Sequence, residues 1–244
     1  MSGSAYGWTN VRPSSDPMRC ASVSVCRSYG ATVRLEGDVY DDTLALAHRI
    51  GSEEGRTFVH PYADPLIVAG QGTIGLELHE DIPDVETVVV AIGGGGLICG
   101  IGLALKHANP AVRVIGVEPE GADAFGRSLR AGRPVDIDRP SSIADKLVAK
   151  STQQLNVDLG REVVDEVVTV TEEALADATY EYLDRHSMLV EPSGAASLAA
   201  VRSGRISVTG QRVALIVSGG NAHPLLLARI IAERAGRAVA AVGR

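Results

Sequence analysis

The chain predicts an α/β fold, a doubly wound and mainly parallel sheet, on three observations. Apolar β-branched runs of five to eight residues alternate with segments of helical periodicity. Two of those runs, Val88–Ile92 and Val213–Val217, open directly into glycine-rich loops, Gly93–Gly96 and Ser218-Gly219-Gly220-Asn221. The runs are too apolar throughout to be half-exposed strands, so they belong in a sheet covered on both faces. Composition agrees: 244 residues, 45% of them hydrophobic, can bury a substantial core.

In chain order, Thr9–Arg12 reads as a short strand ended by Pro13, and Arg19–Ser28 as a helix stopped by Gly30. Ala31–Leu35 and Thr57–Val59 read as strands flanking a helix over Asp41–Glu54. Ala69–Glu80 is expected to be helical, then Val85–Ile92 a strand, Leu97–His107 a helix and Val112–Val117 a strand, forming one βαβ unit. Val163–Val170 follows as a strand. Thr171 caps a helix over Glu172–His186, and Ser193 caps one running to Val201. Val213–Val217 is the last strand, and Arg229–Ala235 closes the last helix. The expected domains are 9–60 and 61–244.

Charge and cysteine content narrow the function. A net charge of −7 argues against nucleic acid as a partner. Cys20, Cys26 and Cys99 have no metal-ligand spacing and fit a reducing compartment, with Cys20 and Cys26 as buried thiols. The first residues lack the basic start and apolar core of a leader, so a cytoplasmic protein is expected. Thr87–Leu105 is uncharged, yet six glycines interrupt it, so no membrane span is expected there.

Four consecutive glycines at a strand-to-helix turn let backbone amides converge on an anion, which suits a phosphate. Gly70-Gln71-Gly72-Thr73-Ile74-Gly75 spells a dinucleotide fingerprint, and Glu118 stands where a ribose-binding acid would. The run before Gly70 is short, however, and close packing against a neighbouring helix is the better reading of those glycines.

Six ordered segments carry a resemblance. Ala69–Ile74, Gly93–Gly96, Gly116-Val117-Glu118-Pro119, Ser142-Ile143-Ala144-Asp145, Val190–Ala195 and Ser218–Asn221 together resemble the threonine/serine dehydratase branch of fold-type II pyridoxal-phosphate enzymes, which includes serine racemase. The resemblance spans residues 9–231. It implies a tryptophan synthase β-like large domain over 61–244, and a remnant of the small domain over 9–60. It also implies pyridoxal 5'-phosphate as cofactor and β-elimination of a hydroxy amino acid to a 2-oxo acid and ammonia. Gly93, Gly94, Gly95 and Gly96, with the Leu97 amide, would cradle the cofactor phosphate. Ser218 would bond the pyridine nitrogen, Glu191 would lie near the ring, and Tyr62 beside it. Ordinary readings stay open: a turn serine, a helix-start acid and a core aromatic. Some relatives bind a divalent cation, Mg or Ca. Glu118 and the Ala122 carbonyl match two of its ligands, but Ala124 stands at the third position, with Asp123 one residue off.

The family's Schiff-base lysine lies in a Ser-x-Lys-x-Arg-Gly motif, and these 244 residues contain neither that motif nor the Ser-x-Gly-Asn-His loop. No catalytic residue is therefore assigned. Of the three lysines, Lys106 is read as a solvated cap, Lys146 as a replacement in an Ala-Asp-Gly turn and Lys150 as a surface residue. The expected partners are a small hydroxy amino acid and either a second copy or a chain supplying the missing segment. The sheet edge bared by the missing strands should favour association. No room is expected for an appended regulatory domain. Two alternatives remain: a non-catalytic partner subunit and a Rossmann-type nucleotide binder.

Overall fold

A computed structural model describes residues 17–36 and 40–242, and divides the chain into two compact units, 1–60 and 61–244. The expected strand at Thr9–Arg12 falls outside the described residues, as does the side chain of Cys20. In the first unit, helices α1 (Pro17–Ser28) and α2 (Tyr40–Glu54) form as expected. Residues 31–36 and 56–60 are irregular, not strands, because none of the described residues pairs with them. Glu54 instead draws them in, binding Arg34 at 3.2 Å and Arg56 at 2.6 Å. Cys26 is a half-buried free thiol, not a fully buried one.

The second unit is built on a parallel sheet. Its elements are α3 (Pro65–Asp81), β1 (Thr87–Ala91), α4 (Gly96–Ala108), β2 (Arg113–Pro119), α5 (Ala124–Ala131), α6 (Gln154–Val163), β3 (Glu166–Val170), α7 (Glu172–His186), α8 (Ala196–Arg202), β4 (Val213–Leu215) and α9 (Pro224–Val242). A single 3-10 turn, Asp145–Leu147, precedes α6. The strand order is β3-β2-β1-β4, all parallel, with Val89 opposite both Ile115 and Leu215. The chain winds outward from β1 through β2 to β3, then returns to the other side of β1. That reversal puts the topological switch between β1 and β4, where the carboxyl ends of two strands part and leave a crevice.

The alternation of β1 divides the core. Val89 and Ala91 face Leu175, Ala178, Ala196 and Ala199 of α7 and α8. Val88, Val90 and Ile92 face Val68, Ile98, Ile101 and Leu105 of α3 and α4, and Phe125 of α5. All five residues of β1 are buried, as a strand covered on both faces requires.

Several boundaries differ from expectation for local reasons. α3 begins at Pro65, since Asp64 accepts from the Leu66 amide at 2.8 Å and proline suits the first turn. Ser193 does not cap α8, and its hydroxyl accepts from the Lys146 amide at 3.2 Å. α9 extends on both sides of the segment read from sequence, and its buried Arg234 ties it to Glu173 at 3.0 Å and Asp177 at 2.7 Å. α5 and α6, eight and ten residues long, are not among the elements expected from sequence. No helix among the described residues is long and apolar enough to cross a membrane.

The 70–75 glycines lie inside α3, which excludes the strand-to-helix turn a dinucleotide fingerprint needs. A Cβ on Gly75 would sit 2.7 Å from the Ile101 carbonyl, and one on Gly72 3.3 Å from that of Gly100. A Cβ on Gly100 of α4 would lie 2.7 Å from the Gln71 Cβ. Gly70 has nothing within 4 Å. Gly75→Ala should therefore lower stability by about 1–3 kcal/mol through overpacking. Gly70→Ala should raise it by about 0.5–1 kcal/mol by restraining the unfolded chain. Urea midpoints of the two variants, moving in opposite directions, test this assignment.

Candidate functional site

The glycine loop leaves β1 at the switch point and enters α4 through Gly95, whose φ of +97° suits glycine. Its glycines are also required by what packs on them. A Cβ at Gly94 would strike the Tyr62 ring, one at Gly95 the Phe125 ring, and one at Gly96 would lie 2.6 Å from the Tyr62 carbonyl. At Gly93 the obstacle is the Lys146 carbonyl, 2.9 Å away.

Beneath the loop, the Gly94 carbonyl accepts from Asn156 Nδ2 and Thr152 Oγ1, each at 2.7 Å. Asn156 also donates to the Tyr62 carbonyl at 2.9 Å. In a trans peptide the N–H points opposite to the C=O, so anchoring the Gly94 carbonyl inward turns the Gly95 amide outward. The first backbone bond of the helix runs from Cys99 N–H to the Gly95 carbonyl at 3.0 Å. Among the described residues, the amides of Gly94, Gly95, Gly96 and Leu97 have no acceptor. Such a set of free donors at a helix N-terminus is what a phosphate needs.

The second loop stands beside it. Ser197 of α8 bridges β1 and the residue just after β4, donating toward the Val89 carbonyl at 3.0 Å and the Ile216 carbonyl at 3.2 Å. Glu191 N–H donates to the Gly219 carbonyl at 3.1 Å, and the Glu191 side chain packs directly on Gly219. Ser218 lies exposed three residues past the end of β4. Lys146 links the two loops: its carbonyl abuts Gly93, and its ammonium lies 3.2 Å from Glu191 Oε2. A cavity of about 280 Å³ opens there, lined by Ser142, Asp145, Lys146, Glu191, His223 and Leu226 among others. Gly93–Gly96, Tyr62 and Ser218 are not in its lining. A larger hollow of about 360 Å³ lies at the opposite end of the strands, lined by residues at the starts of β1 and β2. Within it Thr87 Oγ1 donates to Gln211 Oε1 at 2.8 Å.

The positions expected to hold a metal do something else. Glu118, at the end of β2, turns both carboxylate oxygens onto the amides of Phe125 at 2.8 Å and Gly126 at 2.9 Å. Ala122 is buried, and its amide donates to the Pro119 carbonyl. With Ala124 at the third position, no group of three or more His, Cys, Asp or Glu among the described residues could hold a metal ion. The residues present do not fit a hard cation, which needs several oxygens free to bind it. Glu118 instead clamps the start of α5 and holds Phe125 against Gly95.

Sequence reasoning missed Asn156, Thr152 and Phe125, which carry no local signal of their role. It also misjudged Lys106, whose amine is no solvated cap. It bonds Asp165 at 2.7 Å and the Val112 carbonyl at 2.7 Å, tying α4 to the residues just before β3 and β2.

The crevice at a parallel-sheet switch point, with an amide cradle on one wall and a polar loop on the other, places the chain among α/β folds suited to a phosphate-bearing ligand. Comparison with known proteins narrows this. The profile of the family described as "Pyridoxal-phosphate dependent enzyme" matches residues 7–219, and the chain belongs to that family. It is 43% identical over 223 residues to an L-threonine ammonia-lyase of Thermotoga maritima, covering 91% of this chain and 55% of that protein. To a catabolic L-threonine dehydratase of Escherichia coli it is 38% identical over 203 residues, covering 82% of this chain and 62% of that one. The structure of maize serine racemase superposes with a TM-score of 0.78 at 32% identity, covering 89% of this chain and 67% of that one. The chain thus spans roughly half to two thirds of the length of these relatives.

Burial pushes the Glu118 carboxyl up to about 7, against the two amide bonds that favour its charged form. A raised carboxyl pKa means the folded state binds a proton the unfolded state does not, between about pH 4.5 and 7. Its contribution to stability should be fully present below pH 4.5 and lost as pH rises through about 7. Glu118→Gln should remove a slope of up to about 1.4 kcal/mol per pH unit over that range. Urea titrations of both proteins at several pH values measure it.

Proposed function

We propose that the chain binds pyridoxal 5'-phosphate across the β1/β4 crevice, as the cofactor-holding part of a threonine/serine dehydratase. The observation that carries this reading is the set of unbonded amides at Gly94–Leu97 beside the Ser218–Asn221 loop, on adjacent parallel strands. In this reading Gly93–Gly96 and the Leu97 amide hold the phosphate, and Tyr62, which packs on Gly94 and Gly96, lies beside the ring. The Ser218 hydroxyl bonds the pyridine nitrogen, and Glu191 lies at the ring edge. Residues 61–244 are the large cofactor domain, and 9–60 a remnant of the small one.

The cofactor supplies an electron sink through which a hydroxy amino acid loses its β-hydroxyl, ending as a 2-oxo acid and ammonia. A hydroxyl such as that of Ser218 leaves the ring nitrogen largely unprotonated, which favours elimination over transamination. The wall of Tyr62 and Phe125 excludes water from the phosphate side. The family's Schiff-base motif is absent from these 244 residues, so they are not expected to turn over threonine or serine alone. A chain supplying the lacking segment would complete the site, and association with a second copy is the other pairing in this reading. β4, three residues long and half-buried on the sheet edge, is the natural place for such pairing. A non-catalytic subunit paired with an intact relative is favoured by the same missing motif. A reducing, cytoplasmic setting is part of the reading.

Equilibrium dialysis against pyridoxal phosphate is the test. Retention competed by inorganic phosphate is expected, with at least tenfold weaker retention by Gly94→Ala, whose methyl displaces Tyr62. Thermal melting of the variant shows whether it still folds. Retention indifferent to phosphate would sink the reading. So would release of 2-oxo acid from threonine at an ordinary enzymatic rate sink its claim about turnover.

A further inference from the structure

The chain has three lysines, and they are not equivalent. Lys106 is held by Asp165 and the Val112 carbonyl, and Lys150 faces Asp136 at 3.6 Å. Lys146 alone of the three lies between the two loops of the crevice. Its carbonyl touches Gly93 of the phosphate cradle. Its amine faces Glu191, which itself packs on Gly219. The Glu191 side chain is only 7% exposed, and its buried Oε2 has no hydrogen-bond partner among the described residues. The Lys146 ammonium at 3.2 Å is in ion-pair contact only, so this carboxylate is left facing the cavity.

We infer that Lys146 is a covalent capture site for the cofactor aldehyde, an amine placed in the crevice in the absence of the family's own lysine motif. The inference rests on the reading that the crevice binds pyridoxal phosphate. The bond change is an ordinary condensation. The ammonium first yields a proton to the Glu191 carboxylate or to water, and the free amine adds to the aldehyde carbon. The carbonyl oxygen departs as water, and the returning proton leaves a cationic C=N linkage. One positive charge precedes the reaction and one follows it, so Glu191 has an ionic partner in both the starting and the linked state. That retained pairing favours the linkage over free amine and aldehyde.

Three titratable groups face the amine from the cavity walls: Asp145, with both oxygens at 2.9 Å, Glu191 and His223. Desolvation pulls the Lys146 pKa down, but the hydrogen bond and charge of Asp145, then the charge of Glu191, outweigh it and hold the amine above its ordinary value. A raised amine stays protonated to higher pH, so capture should become more complete as pH rises from 7 to 9. Asp145→Asn removes the stronger of the two holds and should raise capture at pH 7.

The test incubates the whole chain with pyridoxal phosphate, reduces with borohydride, digests and maps the adduct by mass. Borohydride delivers a hydride to the C=N carbon, converting the linkage to a stable secondary amine. The expected result is adduct on Lys146 at least tenfold above that on Lys106, Lys150 or the terminal amine, suppressed by inorganic phosphate. Lys146→Arg keeps a cation beside Glu191 and should fold and melt as the parent does, while losing the adduct. Cofactor retained on dialysis with no adduct at Lys146 overturns the inference but leaves the binding reading intact. Equal labelling of all the amines, indifferent to phosphate, also overturns it. Neither retention nor adduct overturns both.

Discussion

β1 is paired on both edges and buried on both faces, and that double constraint organises the second unit. A strand so enclosed must be apolar at every position, and its parallel partners must run the same way. Because β2 and β4 flank it and the winding reverses between them, the loops after β1 and β4 leave the same edge of the sheet as neighbours. Ser197 makes the arrangement firm by reaching carbonyls of both segments from beneath. The crevice is therefore a consequence of topology before any side chain is chosen to line it.

Glycine in the first loop answers two demands at once. On one side Tyr62, Phe125 and Lys146 press so closely that a methyl group could not be admitted. On the other, the inward carbonyl of Gly94 leaves neighbouring amides without acceptors. Glu118 belongs to the same construction, as it fixes the backbone of Phe125 and so the wall behind Gly95. A residue read as a cation ligand thus supports an anion cradle from two steps away. The proton it takes up near neutrality reflects its burial, not a partner ion.

Much of this was legible along the chain. β1, β2 and α4 follow from uninterrupted β-branched runs and helical spacing, which are local properties. The Thr171 cap of α7 was readable for the same reason, and its hydroxyl accepts from the Ala174 amide at 3.1 Å. The 31–35 and 57–59 segments were misread because a strand is a pairwise object, and β propensity cannot supply the second member. α5 and α6 are short and polar enough that tertiary packing, around Phe125 and Asn156, decides them.

The sequence by itself determined the parallel α/β class, the family and the two glycine loops, since each is written in contiguous residues. Only the tertiary structure decided which residues those loops meet. Asn156 lies 62 positions from Gly94, and Lys146 stands 53 from Gly93, and no local pattern encodes such distances. Likewise the 70–75 glycines match a nucleotide fingerprint letter for letter, yet serve the packing of α3 on α4. The physical reason is the same in each case: periodicity reports what a residue's neighbours in sequence require, while a site is made by neighbours in space.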